Sequence, residues 1–265
     1  MVCGSLDMNK RQNRCPTLSL AASLLGMAIL AAGAGCASRG DARQLKWQPL
    51  FNGKDLTGWT IKCKPADQGR DFWRVEDGCI VADSMGRADH DYVWLVCDRE
   101  FSDFALRLSF QAYKDSPGNS GVQIRSRYDD QAGWMDGPQV DINPPAPWRT
   151  GMIWDETRGS GRWLFPSEPK GQWVNQLMAN PDLVFYYDNE GPGWNSLEIQ
   201  VVGSTVNATL NGVPVTSYCD DAGVLKDAAH QARGVGTQGH IALQIHTGDQ
   251  LRIRFKDLMV AEPKP

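Results

Sequence analysis

Strict alternation of apolar and polar residues, interrupted by two-residue turns, limits this chain more than any other pattern. Phe104, Leu106, Leu108 and Phe110 alternate with Ala105, Arg107 and Ser109, and Leu197, Ile199 and Val201 alternate with Glu198 and Gln200. Ile241, Leu243 and Ile245 follow the same period, as do Leu251, Ile253 and Phe255. A period of two sends one set to the buried face of an extended strand and the other to its wet face. The segment from Thr205 to Leu210 meets Asn211-Gly212 and continues through Val213 and Val215, and Trp73 to Glu76 turns at Asp77-Gly78 into Cys79-Ile80-Val81. Asn-Gly and Asp-Gly accept the positive φ angles of tight hairpins. No long segment carries a helical period. Many short strands with turns between them predict a β-sandwich or barrel, and half-buried alternation on both sides of the hairpins favours two stacked sheets.

The N-terminal residues 1–35 are predicted to be an export signal rather than part of that fold. Lys10, Arg11 and Arg14 precede an uncharged run from Thr17 to Gly35, and Met8 is a plausible natural start. Basic residues, an apolar run and a small-residue end are the parts of a secretory leader. Ala31-Ala32-Gly33-Ala34-Gly35-Cys36 is similar to a bacterial lipoprotein processing site, with Cys36 as the lipidated residue; cleavage after Ala34, giving a soluble secreted protein, is the alternative. Residues 36–46 then form a tether and 47–261 a single domain, in the periplasm or as an outer-membrane lipoprotein. The chain carries a formal charge of −4, and loss of the leader makes it more acidic. With no basic run, nucleic acid and anionic membrane surfaces are poor partners, so membrane contact is expected only through the lipid. Cys63, Cys79, Cys97 and Cys219 lie beyond Cys36. Cys79–Cys97 is the favoured pair in an oxidising compartment, with buried thiols as the alternative.

The stretch that points to chemistry is Gly118-Asn119-Ser120-Gly121-Val122-Gln123-Ile124-Arg125-Ser126-Arg127, followed by Gly137-Pro138-Gln139-Val140-Asp141-Ile142. Alternation places Gln123, Arg125 and Arg127 opposite Val122, Ile124 and Ser126, and puts Gln139, Asp141 and Asn143 on one side. A cation, amides and a carboxylate on one sheet make a sugar-reading surface; the wet face of an ordinary sheet is the other reading. Residues 144–193 are rich in Pro, Gly and Trp and are expected to be an elaborated loop region with a short helix near Val174 to Met178. Trp134, Trp148, Trp154, Trp163 and Trp173, out of ten tryptophans in all, fall in or near it. Indole faces stack on the C–H faces of pyranose rings, and Trp134 and Trp154 are candidates for that platform.

The nonapeptide Phe51-Asn52-Gly53-Lys54-Asp55-Leu56-Thr57-Gly58-Trp59 resembles the opening signature of the DUF1080 family, the 3-keto-disaccharide hydrolase domain. Phe101 to Leu106, Gly118 to Val122, Gly137 to Ile142, Thr150 to Ile153, Trp194-Asn195, Leu210-Asn211-Gly212 and Gly239 to His246 come next, in that family's order. The resemblance implies a concanavalin A-like jelly-roll sandwich and a sugar-derived substrate. It departs from the family at Gln139, where a Glu is frequent, and in a long insert between Arg158 and Gly193.

A conventional glycosidase needs two carboxyl groups about the scissile bond. The trio Gln139, Asp141, Asn143 supplies one, and Asp155 or Glu156 would have to lend the second from the loops. Cleavage of a 3-keto-glycoside needs less, because the ketone acidifies the C2 proton and lets the C1 substituent leave by elimination. Asp141 is the candidate base, His246 the acid or alternate base, and Arg125 the cation for the enolate. Asn119, Gln139 and Gln244 would orient hydroxyls. No cofactor is required, although Asp141 and His246 together are a conceivable divalent-metal pair. A non-catalytic carbohydrate-binding lipoprotein on the same sandwich is the competing function.

Overall fold

A computed structural model describes residues 46–143, 149–166, 182–220 and 227–263. The chain folds as a two-sheet antiparallel β-sandwich. The first sheet runs in the order β14 (Val213–Cys219), β13 (Thr205–Leu210), β12 (Asn195–Val202), β6 (Phe104–Pro117), β16 (Leu251–Ala261), β4 (Cys79–Asp83) and β3 (Trp73–Glu76), with β1 (Gln48–Pro49) also on β16. The second runs β11 (Arg162–Phe165), β10 (Ile153–Asp155), β9 (Pro138–Ile142), β7 (Ser120–Asp129), β15 (Gly239–Ile245), β5 (Val93–Phe101) and β2 (Trp59–Cys63), with β8 (Trp134–Asp136) on β7.

Both predicted hairpins form for the expected reason. Asp77 and Gly78 have φ of 49° and 72°, and Asn211 and Gly212 have 49° and 79°. Such paired left-handed angles match the twist of the strands they join. The inner face of the first sheet brings Leu106, Leu108, Phe110, Ile199, Ile253 and Phe255 against Leu95, Val122, Ile124, Val140, Leu243 and Ile245 of the second. These are the apolar phases read from the sequence, and each is almost fully excluded from water.

Three expectations need correction. The segment between 144 and 193 is not loop throughout: β10 and β11 extend the second sheet beyond β9. The helix expected near Val174 to Met178 lies outside the described residues, whereas a short helix, α1 (Ala228–Arg233), forms elsewhere, capped by the Asp227 side chain and closed by Gly234 at φ 68°. Cys79 and Cys97 carry unlinked thiols and sit in different sheets, on β4 and β5, so the favoured disulfide does not form. The third concerns Arg125.

The alternation along β7 breaks at a bulge. Gln123 pairs with Ala242 and Ser126 with His240, so Ile124 and Arg125 together oppose Ile241. Arg125 takes up the extra residue with φ 50°. A bulge inverts the phase of the residues beyond it, so Ser126 reaches Gln123 instead of facing away from it. Arg125 is turned out of the row that holds Gln123. Its guanidinium donates to the Ser102 carbonyl and the Gly203 carbonyl, each at 2.6 Å, and to Asp103 at 2.8 Å. These groups belong to the β5–β6 and β12–β13 turns, so a mostly buried cation ties the two sheets together at one end of the sandwich. Removing one partner from such an arrangement strands the others. Arg125→Ala is therefore expected to lower stability by about 2–4 kcal/mol in urea titration.

Candidate active site

The outer face of the second sheet is polar along one half and nevertheless buried. Strand register sets Gln139 opposite Gln123 and Asp141 opposite Gly121, with Trp154 next to Gln139 on the far side. Gly121 has no side chain to separate its neighbours, and a methyl group built there would overlap the Gln139 side chain. Gln139 lies across this gap and donates from Nε2 to Asp141 Oδ1 at 2.9 Å. Its own Oε1 accepts from Gln123 Nε2 at 3.2 Å, and Gln123 Oε1 accepts from Ser126 Oγ at 2.8 Å. The other half of the face is apolar: Trp94, Val96, Met135 and Ala242 form a second, small core.

Above this floor opens a cavity of about 420 Å³, walled by Tyr92, Asn119, Gln139, Asp141, Arg149, Trp154, Glu156, Trp163 and His246. Glu156 follows β10 and is fixed at its backbone: its N–H donates to the Gly137 carbonyl, and its carbonyl accepts from Trp134 Nε1 at 2.8 Å. Its carboxylate accepts from Gln244 Nε2 at 3.1 Å. The neighbouring Asp155 is directed elsewhere, to His230 at 2.9 Å and Ser160 Oγ at 2.6 Å. Arg158 bonds the buried Asp136 and also Asp129. Ion pairs on both sides of Glu156 thus pin the turn that presents it.

His246 follows β15. Its Nε2 shares a hydrogen bond of 3.0 Å with the Tyr92 hydroxyl, and its Nδ1 lies 3.5 Å from Asp249 Oδ2. Asp249 also accepts from the Asn119 backbone N–H at 2.7 Å, so one carboxylate orders both the imidazole and the Gly118–Asn119 turn.

Electrostatics sort these groups by environment. Burial raises Asp141 from an ordinary value near 3.8 to about 7; Arg149 and the Gln139 amide oppose the shift, and Glu156 adds to it. Burial also raises Glu156, against the Gln244 bond and the His246 charge. For His246, burial disfavours the cation, but Asp249, Glu156 and the Thr247 carbonyl outweigh it and the imidazole is raised. The cavity therefore holds two carboxyl groups with increased proton affinity and an imidazole biased towards its charged form.

A second cavity, about 350 Å³, shares Tyr92, Trp154 and Glu156 with the first and is closed by Trp134, Thr157, Arg158 and the Gly159–Gly161 turn. The Thr157 hydroxyl is buried there without a hydrogen-bond partner.

Of the residues singled out from sequence, Asp141, His246, Asn119, Gln139 and Trp154 line the main cavity, while Trp134 lines the adjoining one. Gln244 lies beneath, holding Glu156. Cys36, Trp148 and Trp173 lie outside the described residues. Arg125 is not among the lining residues. Its cationic place is taken by Arg149, which sequence reasoning missed, as it missed Tyr92 and Asp249. The His246-x-x-Asp249 spacing was the available signal for the last. Sequence groups Glu156 with Asp155, and only the strand end separates them. Among the described residues, no three His, Cys, Asp or Glu side chains form a group able to hold a metal ion.

The sequence matches the family described as the 3-keto-alpha-glucoside-1,2-lyase-like domain over residues 46–261. No curated protein matches the chain. Among solved structures, one of Parabacteroides distasonis provisionally described as a glycosyl hydrolase is similar at a TM-score of 0.51 and 21% identity, over 82% of this chain and 94% of that one. The carbohydrate-binding module CBM66 of Bacillus subtilis aligns at a TM-score of 0.49 and 12% identity, over 77% and 96%. The first of these supports the sandwich fold.

Asp141 makes stability depend on pH in a direction opposite to that of a salt-bridged carboxylate. Between about 3.8 and about 7 the unfolded chain has released this proton and the folded chain still holds it. The folded state then binds more protons, so its stability falls as pH rises through that window. The shift corresponds to roughly 4 kcal/mol. Asp141→Asn is expected to raise the Tm relative to wild type at pH 8, with the difference shrinking towards zero near pH 4; a constant difference across that range would contradict the assignment.

Proposed function

The chain belongs to the 3-keto-alpha-glucoside-1,2-lyase-like family, and on that premise we propose that it is an exported enzyme that cleaves the glycosidic bond of 3-keto-glycosides by elimination followed by hydration. The observation that carries the reading is Asp141, buried and tuned to about 7, facing one cavity with Arg149, Glu156 and His246. A base that removes a carbon-bound proton near neutral pH works best with a proton affinity in that range.

The ketone at C3 makes the C2 proton removable. Asp141 takes it, the electron pair forms the C1–C2 double bond, and the C1–O bond breaks with its electrons passing to the leaving oxygen. Arg149 supplies positive charge where the enolate develops. Glu156, protonated more readily than a surface glutamate, gives its proton to the leaving oxygen. Water then adds to C1, giving up a proton to the Glu156 carboxylate, while Asp141 returns its proton to C2; both carboxyl groups are restored and the net result is hydrolysis. Tyr92, His246 and Asp249 form a second proton-carrying line along the wall. Glu156 stands on the boundary between the two cavities, which suits a reacting ring in the larger and a leaving unit against Trp134 and Trp154 in the smaller. No step requires a metal, and Asp141 and His246 already have Gln139, Tyr92 and Asp249 as partners. The leader with Cys36 fits delivery to the periplasmic face as a lipoprotein, close to oxidised sugars.

A chromogenic 3-keto-glucoside assayed beside the unoxidised glucoside, with and without chelator, tests this. Release from the keto form alone is expected, and Asp141→Asn should lower kcat by about 10²–10⁴. Release from neither, with sugar binding intact, would make the protein a binding module. Release from both would make Asp141 and Glu156 an ordinary glycosidase pair. Glu156→Gln should slow substrates with sugar leaving groups far more than those with acidic nitrophenols, since the latter need no protonation; equal slowing of both would remove the acid role.

A further inference from the structure

Two residues that line neither cavity connect through Gln139 to the candidate base. Gln123 and Ser126 are completely buried, and Gln139 and Asp141 nearly so. The chain of bonds from Ser126 Oγ to Gln123, from Gln123 to Gln139 and from Gln139 to Asp141 spans 2.8, 3.2 and 2.9 Å. The backbone makes room for it in two places. A methyl at Gly121 would overlap Gln139, and one at Gly137 would overlap Ser126. The bulge at Arg125 completes the arrangement by bringing Ser126 to the Gln123 side.

A buried carboxyl that gains and loses a proton poses a pairing problem. When the proton sits on the oxygen that faces Gln139, the hydroxyl must donate there and the Gln139 N–H opposite it has nothing to bond. A primary amide solves this by turning over, but the next group must then turn as well. Here each member can. With Asp141 ionised, donation runs Ser126 to Gln123 to Gln139 to Asp141. With Asp141 protonated, it runs the other way: the carboxyl donates to Gln139 Oε1, Gln139 Nε2 to Gln123 Oε1, and Gln123 Nε2 to Ser126 Oγ. Ser126 then needs a new acceptor, and the Ile124 carbonyl lies 3.2 Å from its oxygen and the Pro138 carbonyl 3.4 Å. In neither direction is a ladder group left unpaired.

We propose that Gln123 and Ser126 are positioning residues that form, with Gln139, a reversible amide relay that keeps Asp141 paired in both of its protonation states. The relay acts together with the charged and titratable groups that face Asp141, namely Arg149, Glu156 and His246. Its use in catalysis rests on Asp141 being the base; the relay itself does not.

The test uses the protein with its glutamine side chains labelled with ¹⁵N, in the absence of substrate. The Gln139 and Gln123 amide resonances are expected to move together, with the midpoint at which the Asp141 carboxyl band titrates in the infrared, the band being identified by its loss in Asp141→Asn. Movement of Gln139 while Gln123 stays fixed would overturn the relay. Gln123→Glu places an acceptor against Gln139 Nε2 and locks the reversed direction, so the Asp141 midpoint should rise by about one pH unit or more, a tenfold gain in proton affinity. An unchanged midpoint in a folded variant would also overturn it. If that variant does not fold, the wild-type resonances still decide. A relay that titrates as expected in a protein inactive on keto-sugars would leave this inference standing and remove the proposed reaction.

Discussion

A sheet buried on both faces must pair every polar group on its second face with another group of the protein, and that requirement organises this molecule. The inner face of the second sheet is apolar and joins the main core. The outer face carries Gln123, Gln139, Asp141 and Gln244, all nearly inaccessible to water. Left unpaired, each of these would cost on the order of 1–3 kcal/mol. For Gln123, Gln139 and Asp141, register and two glycines solve the problem by laying side chains along the sheet rather than away from it. The same low-dielectric setting raises the proton affinity of Asp141 and Glu156, so the condition that threatens stability is the one that makes the carboxyls chemically useful.

The two halves of that face divide the work. Trp94, Val96, Met135 and Ala242 give a rigid apolar buttress, against which Tyr92 stacks with its ring centroid 5.3 Å from Trp94 and packs edge-on to His246 at 4.8 Å. The polar half is roofed by the turn after β10. Asp155 with His230 on one side and Arg158 with Asp136 on the other hold that turn, so Glu156 is placed by neighbours that do not line the larger cavity. Long loops on a rigid sandwich are a usual location for chemistry, and here the turn is held by buried charge.

Much of this could be anticipated from sequence, because strand periodicity and turn chemistry are local. Alternation at Phe104 to Phe110 and Ile241 to Ile245, and the Asp77-Gly78 and Asn211-Gly212 turns, specify elements without reference to anything distant. Gln139 and Asp141 on one side of their strand follow from the same rule. Arg125 shows where the rule stops. A single inserted residue reverses the phase of everything after it, and nothing in Gln-Ile-Arg-Ser announces the insertion. Cys79 and Cys97 fail for a related reason, since local pattern does not say which sheet a strand joins. Arg149, Tyr92 and Glu156 come from a loop and from strand ends, where side-chain direction depends on tertiary contacts. The resemblance to a family pointed to the strands that floor the cavity but could not show which arginine lines it and which braces the sheets.

Tyr92, Trp154 and Glu156 are common property of two adjoining chambers, and this has a bearing on how such a protein can diverge. Widening the smaller chamber to admit a bulkier group means moving the turn from Thr157 to Gly161, and that turn is continuous with Glu156. Under the proposed reaction, reshaping what is released therefore also displaces Glu156. On that reading, selectivity for the departing group and speed on the reacting ring are inherited as one trait, and a lineage that changes the first must re-tune the second.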